Sequence, residues 1–555
     1  TYSAVLASRR GPKKQTREDF NMKKLLALAL CALTLVFACA AAMADASITF
    51  QMGGEPECMD PTINDYSSGS YAPQSLFRGL YKYDADGALV PAMAESYEVS
   101  EDGCTYTFKL KEGLKWSDGS PLTAHDFEYS WKRVLNPDVG SETAYTLYGV
   151  IKGGYECFVS KTVSVDDLPI RALDDTTFQV ELKAPASYFI TLTASTAFMP
   201  VCKANVEKYG EDWSSSPETY VCNGPFMLAD MKKDESFTFV KNPNYYNADE
   251  VKIDTVKYVF LNAPETVRMA FDNGELDIAT SVNSDAMKAY TGTDKLVTSD
   301  RIGYRYYEFN CSKAPFNDAR VRRALTLALN RKIITEGILQ DPTLPQLYGW
   351  VPYGIKDVLD PSKDWRDAVG NAFDEDIEEA KALLAEAGYP NGEGFPTFSI
   401  KYTPSTELEN VAQAMAAMWK QYLGLNCEVT AVESGVYWAD EGTRATGDFE
   451  IAYMGYTLDY AEPSAAFAVL ENAEGKAKTR WDCPAYLELC NKMRSSISDE
   501  EREALYKEAE ALLAQECPVM PIYNYVATAL VSERVKGFTR NANGHPNFEY
   551  CTIAE

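Results

Sequence analysis

The spacing of hydrophobic residues in the second half of the chain predicts amphipathic helices. Apolar side chains recur there every three or four residues, which places them on one face of a helix. The segments are 320–334, 374–387, 408–423 and 498–515. Gly388 and Gly424 follow the second and third segments, where a helix commonly ends. Ser498 opens the last segment with Glu501 three positions later, a pattern typical of a capping box.

Shorter runs in the chain predict β-strands. Residues 47–50 and 106–110 alternate between polar and apolar positions, as a half-buried strand does. Asp118-Gly119 then predicts a turn, and Thr123 with Asp126 predicts the capped start of a helix. The apolar run 449–454 predicts a further strand. The chain therefore mixes helices and strands throughout.

The stretch 455–463, Gly-Tyr-Thr-Leu-Asp-Tyr-Ala-Glu-Pro, directly follows that last strand. The backbone N–H and C=O groups of such a strand can pair with the main chain of an extended ligand. The carboxylate of Asp459 can bind a cationic group of the same ligand through a charge-assisted hydrogen bond. The alternative is that Asp459 is an ordinary turn or cap residue.

Length and composition indicate a globular protein with more than one core. A chain of 555 residues exceeds the size at which single cores stop growing, so two or three lobes are expected. Its 46% hydrophobic and 24% charged residues are ordinary for globular proteins. Neither an internal repeat nor a low-complexity linker separates the lobes, which suggests that they interleave in sequence.

The charge distribution argues against nucleic acid as a partner. Residues 1–44 hold seven Lys/Arg and two Asp/Glu, so the rest of the chain carries 46 basic and 79 acidic residues. Phosphate binding needs a basic surface. An acidic surface that keeps the protein soluble explains the imbalance, and attraction of cationic ligands is a secondary possibility.

Histidine and cysteine usage predicts neither a metal site nor a catalytic triad. His125 and His545 are the only histidines, and the thirteen cysteines include no C-x-x-C pair. Cys31 and Cys39 lie in the leader, and the odd count of the other eleven leaves at least one thiol unpaired within the chain. We expect no cofactor.

The N-terminal region predicts export. Lys23 and Lys24 precede an apolar run that ends in Ala42-Met43-Ala44, which indicates a signal peptide over 22–44 cleaved after Ala44. Lipoprotein processing at Cys39 is the alternative. Residues 1–21 are interpreted as an upstream, non-native segment.

A series of motifs in a fixed order carries a family resemblance. These are 55–61, 77–84, 89–97, 106–110, 115–127, VCNGPF at 221–226, KNPNYY at 241–246, NGELD at 273–277, PFNDARVRRAL at 315–325 and DYAEP at 459–463. Together they resemble the oligopeptide-binding proteins, the large peptide-binding members of the extracytoplasmic solute-binding proteins (family 5) that feed ABC importers. The resemblance covers nearly all of residues 47–550.

The resemblance implies an α/β fold of the two-lobed periplasmic-binding-protein type, or Venus flytrap, with an extra inserted lobe. Lobe I would take residues 45–80, 205–302 and 525–555, the inserted lobe 81–204 and lobe II 303–524. The chain would cross between the main lobes near 302 and 525. Two crossings make a hinge, and closure would bury a ligand in the cleft.

The resemblance also implies which residues contact the ligand. Asp459 matches the residue that receives the peptide's α-amino group. A carboxylate suits this role because an ammonium has three donors and no acceptor. The other matched positions are Gly455 and Thr457 for main-chain pairing, Asp65, Tyr66 and Ser67 on the facing edge, and Tyr145 from the inserted lobe.

The sequence departs from the family pattern at several site positions. Tyr453 replaces an arginine that binds the ligand carboxylate. Arg444 matches another basic position near the cleft and could substitute, or it could be a surface residue. Tyr456 and Tyr437 replace tryptophans beside the ligand. A disulfide of the family is absent, because the two positions that match its cysteines are Gly303 and Thr457 in this chain.

These observations predict a non-enzymatic, monomeric binding protein that captures short peptides and delivers them to an ABC permease. Within the same transport role, a nickel chelate, haem or an oligosaccharide is an alternative ligand. An exported hydrolase that uses paired carboxylates is an alternative from another class, but no nucleophile elbow or H-E-x-x-H motif supports it.

Overall fold

The structure, a computed structural model, describes residues 46–554 except 57, 64–70, 440, 472–476, 497 and 542. The predicted leader and the predicted site residues Asp65, Tyr66 and Ser67 therefore lie outside the described residues. None of the described helices combines the length and the apolar composition needed to cross a membrane.

The described residues form β-strands distributed along the whole chain. They are β1 (Ser47–Met52), β2 (Tyr81–Tyr83), β3 (Leu89–Pro91), β4 (Ala94–Val99), β5 (Thr105–Leu110), β6 (Ile170–Asp174), β7 (Thr177–Glu181), β8 (Phe226–Lys232), β9 (Ser236–Lys241), β10 (Thr255–Phe260), β11 (Ile278–Ala279), β12 (Leu296–Phe309), β13 (Phe398–Tyr402), β14 (Cys427–Ala431), β15 (Ile451–Thr457), β16 (Val519–Val531), β17 (Val535–Lys536), β18 (Thr539–Arg540), β19 (Pro546–Asn547) and β20 (Thr552–Ile553).

The α-helices are α1 (Tyr71–Leu76), α2 (Ala124–Val134), α3 (Ala144–Tyr148), α4 (Gly154–Phe158), α5 (Phe189–Leu192), α6 (Lys203–Tyr209), α7 (Pro264–Asp272), α8 (Ser284–Tyr290), α9 (Ala319–Leu327), α10 (Trp365–Val369), α11 (Ile377–Glu386), α12 (Thr406–Leu423), α13 (Ser434–Trp438), α14 (Thr443–Thr446), α15 (Pro463–Ala468), α16 (Pro484–Ser495) and α17 (Asp499–Glu516). A π-helix covers Ile333–Ile338.

Most of the predicted helix ends are confirmed by their capping contacts. The side chain of Ser498 accepts a hydrogen bond from the Glu501 N–H at the start of α17. Thr123 and Asp126 form the predicted capping box of α2. Gly424 ends α12 in the left-handed region, with φ of 73°.

The single helix predicted over 320–334 is wrong. Helix α9 ends at Leu327, and the side chain of Asn330 then accepts from the Ile333 N–H, which starts a new helical turn. The break turns Arg331 into the core, where its guanidinium donates to the Pro521 carbonyl at 2.9 Å. Sequence periodicity continued through the break because Ala328 and Leu329 are buried as well.

A ten-stranded mixed sheet runs through most of the described chain. Its order is β14-β13-β15-β12-β16-β11-β1-β10-β9-β8. Strands β12 and β16 are long and pair antiparallel, with a register shift between Asp300 and Tyr304. The early part of β12 borders the cores that hold β1 and β11, whereas Ile302 and later residues belong to the cores formed by 302–523.

A second, antiparallel sheet of order β4-β5-β7-β6 lies within residues 94–181. Helix α2 covers it, and the ring of Trp131 meets that of Phe178 edge-on at 4.8 Å. The alternating burial along β5 confirms the strand predicted at 106–110.

Candidate functional site

The open edge of β15 is the first component of the candidate site. The N–H of Leu458 donates to the Ile302 carbonyl of β12 at 2.7 Å. In an antiparallel pair, alternate residues direct both backbone groups to the same partner. The backbone groups of Met454 and Tyr456 therefore face β12, and those of Gly455 and Thr457 face the opposite side.

On that opposite side, β15 has a neighbouring strand for only part of its length. Strand β13 pairs with Ile451 and Ala452, and no described strand continues the pairing beyond them. The next carbonyl, that of Tyr453, accepts from the Tyr437 hydroxyl at 2.6 Å. The backbone of Gly455 and Thr457 is thus positioned for an added strand.

Strand β15 ends at Thr457, not at 454 as predicted, because β12 pairs with it to that point.

Asp459 lies just beyond this strand and is partly buried. The Tyr456 hydroxyl donates to its carboxylate oxygens at 3.2 and 3.3 Å, and the Tyr145 hydroxyl lies 3.5 Å from one of them. Burial raises the pKa of Asp459 to about 6, and the hydrogen bond from Tyr145 opposes that rise. A carboxylate held in this way favours a cationic partner that would compensate for its lost hydration.

Two aromatic contacts bring residues 144–188 against this end of β15. Tyr145 belongs to α3, and its hydroxyl donates to an Asp459 carboxylate oxygen. Tyr188 stacks on Tyr460 with ring centroids 4.5 Å apart and planes 9° from parallel. The structure therefore brings Tyr145 to the same end of β15 as the predicted site residues Gly455, Tyr456, Thr457 and Asp459.

Arg305 is a site residue that the sequence reasoning missed. It lies on β12 directly opposite Gly455, and a Cβ atom added at Gly455 would lie 2.6 Å from its Nη1 atom. Its guanidinium packs on the rings of Tyr453 and Tyr525, at 4.6 and 5.4 Å from their centroids. The signal in the sequence was a lone cation in a tyrosine-rich strand, Gly303-Tyr-Arg-Tyr-Tyr307.

Arg444 has a structural partner. The side chain is buried, and its Nη2 atom lies 2.7 Å from a carboxylate oxygen of Glu308, which is itself fully buried. Its guanidinium also packs on the ring of Trp438. The alternative that Arg444 is a surface residue is therefore wrong, and its contact with a ligand stays a prediction.

Tyr437 has no exposed surface in this structure, whereas the adjacent Trp438 is 45% exposed. The Tyr437 hydroxyl donates to the Tyr453 carbonyl of β15, so the side chain hydrogen-bonds to the strand backbone. Contact between Tyr437 and a ligand stays a prediction.

Gly303 pairs directly with Thr457 across β12 and β15, so the two positions matched to the missing disulfide are neighbours.

Among residues 46–554 as described, no group of three or more His, Cys, Asp or Glu side chains is arranged to hold a metal ion. The eleven cysteines from Cys58 to Cys551 are free thiols.

Comparison with known proteins assigns the chain to a family. The family described as "Bacterial extracellular solute-binding proteins, family 5 Middle" matches residues 88–478. The periplasmic oligopeptide-binding protein OppA of Salmonella typhimurium is 33% identical over 535 residues, which are 93% of this chain and 96% of that protein. The dipeptide-binding protein DppE of Bacillus subtilis is 31% identical over 500 residues, which are 90% of each chain.

Solved structures agree with this assignment. The unliganded open form of the murein tripeptide-binding protein MppA has a TM-score of 0.81 at 28% identity and covers 92% of this chain and 98% of its own. Haemophilus influenzae OppA in complex with the peptide RPPGFSPFR has a TM-score of 0.66 at 28% identity and covers 92% and 99%. The TM-score to the open form of MppA is thus higher than the TM-score to the peptide complex of OppA. The chain belongs to the family 5 bacterial extracellular solute-binding proteins.

Proposed function

We propose that this protein captures short peptides in a cleft beside β15 and delivers them to an ABC permease. Family membership supports this role, since relatives similar over about nine-tenths of the chain are named as oligopeptide- and dipeptide-binding proteins. Binding without chemistry is the proposed activity, and the protein would act as a monomer outside the cytoplasm, after cleavage at Ala44 or lipidation at Cys39.

The observation that carries the proposal is the placement of Asp459 at the end of an open strand edge. The N–H and C=O groups of Gly455 and Thr457 would pair with the peptide main chain, which every peptide shares. Asp459 would bind the α-amino group, with Tyr145 and Tyr456 orienting its carboxylate. Affinity would then depend little on the ligand's side chains.

Peptide capture would involve closure of two lobes. The proposed lobes are residues 45–80, 205–302 and 525–555 on one side and 303–524 on the other, with 81–204 inserted in the first. The long strands β12 and β16 would carry both crossings near their register shift, and a small rotation there would close the cleft. The similarity to an open, unliganded form supports a resting state that is not closed.

Calorimetric titration with tetra-alanine tests the proposal. We expect tetra-alanine to bind, N-acetyl-tetra-alanine to bind far more weakly, and the peptide to be recovered unchanged by mass spectrometry. Hydrolysed peptide would indicate an enzyme. Equal affinity for the acetylated peptide would overturn the role of Asp459.

A further inference from the structure

A cavity of about 410 Å³ lies between the region of α3 and α5 on one side and helices α15 and α16 on the other. Gly149, Lys183 and Tyr188 line it from the first side, and Tyr460 and Phe467 are among the residues that line it from the second. A volume of this size is within the range of small-molecule sites. Among the described residues, none of those predicted to contact a peptide lines this cavity, so the proposed function leaves it without a role.

The cavity adjoins the end of the cleft where the α-amino group of a peptide would bind. Tyr460, on the cavity wall, directly follows Asp459 in the chain. Gly149 caps the C-terminal end of α3, the helix that carries Tyr145, and the Tyr145 hydroxyl donates to Asp459. The two segments that meet at Asp459 therefore also form part of the cavity wall.

The rings of Tyr188 and Tyr460 join these two segments. Both side chains line the cavity, and they stack with ring centroids 4.5 Å apart and planes 9° from parallel. Rings in such close contact leave no space for a ligand atom between them. The stacked pair is therefore a closed part of the wall.

A buried hydrogen-bond network fixes the ring of Tyr460. Its hydroxyl lies 3.2 Å from the Ser464 hydroxyl, which in turn donates to the Glu462 carboxylate. Glu462 also accepts from the Tyr506 hydroxyl, and both of these side chains are buried. Because every member of the network has a partner, Tyr460 is held in one position against Tyr188.

The wall of the cavity has an apolar part and a charged part. Phe467 and Met493 contribute apolar surface and are almost fully buried. The charged side chains are Lys183 and the ion pair of Arg494 with Glu471. An apolar chain that entered the cavity would leave water for the surfaces of Phe467 and Met493, which favours binding.

We propose that the Tyr188–Tyr460 pair determines specificity as a wall that separates the Asp459 end of the cleft from this cavity. This inference rests on the proposed function and adds a steric reason for the choice of free amino termini to the electrostatic one. A group attached ahead of the α-amino nitrogen would collide with the rings. Without the pair, the same group would enter the cavity and contact Phe467 and Met493.

Two neutral acyl peptides separate this steric effect from the loss of the ammonium charge. N-acetyl- and N-hexanoyl-tetra-alanine both lack the ammonium, so the ratio of their affinities reports the space ahead of the nitrogen. On the parent protein the hexanoyl peptide should bind about tenfold more weakly, because its longer chain overpacks the site. On Tyr188→Ala it should bind about tenfold more tightly than the acetyl peptide, because its four additional carbons leave water for the opened cavity. Displacement calorimetry against tetra-alanine measures both ratios.

Further variants serve as controls and keep the comparison measurable. Tyr155→Ala removes an exposed tyrosine of α4 that does not line the cavity, and it should retain the affinity ratio of the parent protein. If the alanine variant of Tyr188 does not fold, Tyr188→Leu removes the stack but keeps an apolar side chain, and it should shift the ratio in the same direction by a smaller factor. If both acyl peptides bind the parent protein too weakly, the comparison is made on Asp459→Asn, which removes the carboxylate that disfavours a neutral ligand.

The same affinity ratio on the parent protein and on the Tyr188 variants would overturn the proposed wall and leave peptide capture standing. A hexanoyl peptide that binds the parent protein as tightly as the acetyl peptide would overturn it as well. Failure of free tetra-alanine to bind the parent protein would instead overturn the proposed function.

Discussion

The hydroxyl of Tyr456 donates to both carboxylate oxygens of Asp459, at 3.2 and 3.3 Å. Tyr456 lies within β15, which ends at Thr457, and Asp459 follows two residues after that end. This contact fixes the carboxylate at the end of the strand edge that Gly455 and Thr457 leave open. Under the proposed function, this anion and the row of backbone groups would meet the same extended ligand.

Replacing Asp459 tests whether its carboxylate binds the amino group of the peptide. We expect Asp459→Ala to weaken tetra-alanine binding by about 2–5 kcal/mol, because the ligand ammonium loses its buried partner. Tyr456→Phe removes only an orienting hydrogen bond and should cost about 0.5–1.5 kcal/mol. Calorimetry gives both values, and circular dichroism checks that each variant is folded. A loss of affinity in Asp459→Ala no larger than in Tyr456→Phe would contradict the assignment.

Peptide affinity should depend on pH through Asp459. Its pKa in the free protein is raised to about 6 by burial, and a bound ammonium would lower it. Ligand binding therefore displaces a proton below pH 6, and affinity should fall about tenfold per pH unit as the pH drops from there. Titrations between pH 5 and pH 7 measure this slope.

Asp459→Asn provides the matched control for the pH experiment. The asparagine side chain keeps the shape of the site but does not titrate, so the slope below pH 6 should disappear. A slope of the same size in Asp459→Asn would show that another group controls the pH dependence.

The sequence predicted the local elements and the strand that carries the site, but not all the side chains that meet there. Caps such as Ser498 are encoded within a few residues, so helix α17 was predictable. Arg305 was not, because its position beside Gly455 depends on pairing between β12 and β15, strands that lie about 150 residues apart. Local patterns contain no information about such a contact.

Burial was also harder to predict than element type. Arg444 resembled a cleft or surface residue in sequence, and only the fold reveals its buried partner Glu308. Likewise, the periodicity of 320–334 predicted one helix, but the core contacts of Arg331 require a break before it. In both cases a long-range polar contact of an arginine overrode the local pattern.

Arg444 should matter more for stability than for ligand binding. Arg444→Ala leaves the carboxylate of Glu308 buried without its guanidinium, which we expect to lower the free energy of unfolding by about 3–5 kcal/mol. Arg320→Ala disrupts an exposed pair and should change stability little. Urea unfolding followed by fluorescence measures both. A stable Arg444→Ala variant with strongly reduced peptide affinity would assign Arg444 to the ligand instead.

Gly455 should tolerate no side chain. A Cβ atom there would contact the Tyr525 hydroxyl and Nη1 of Arg305, so Gly455→Ala should displace both groups and weaken peptide binding by about 1–3 kcal/mol. Gly337→Ala is the matched control, since its nearest neighbour would be the Ile333 Cγ2 atom at an ordinary 3.7 Å. Unchanged affinity in Gly455→Ala would show that the ligand does not lie against this part of β15.

Native mass spectrometry of the purified protein tests peptide capture most directly. The protein would be purified from cells grown in rich medium, incubated with a peptide digest and freed of unbound peptide. It would then be denatured so that the released ligands can be identified. We predict a mixture of short peptides with free amino termini and varied side chains. A single non-peptide species, such as a sugar or a metal chelate, released in place of peptides would contradict peptide capture.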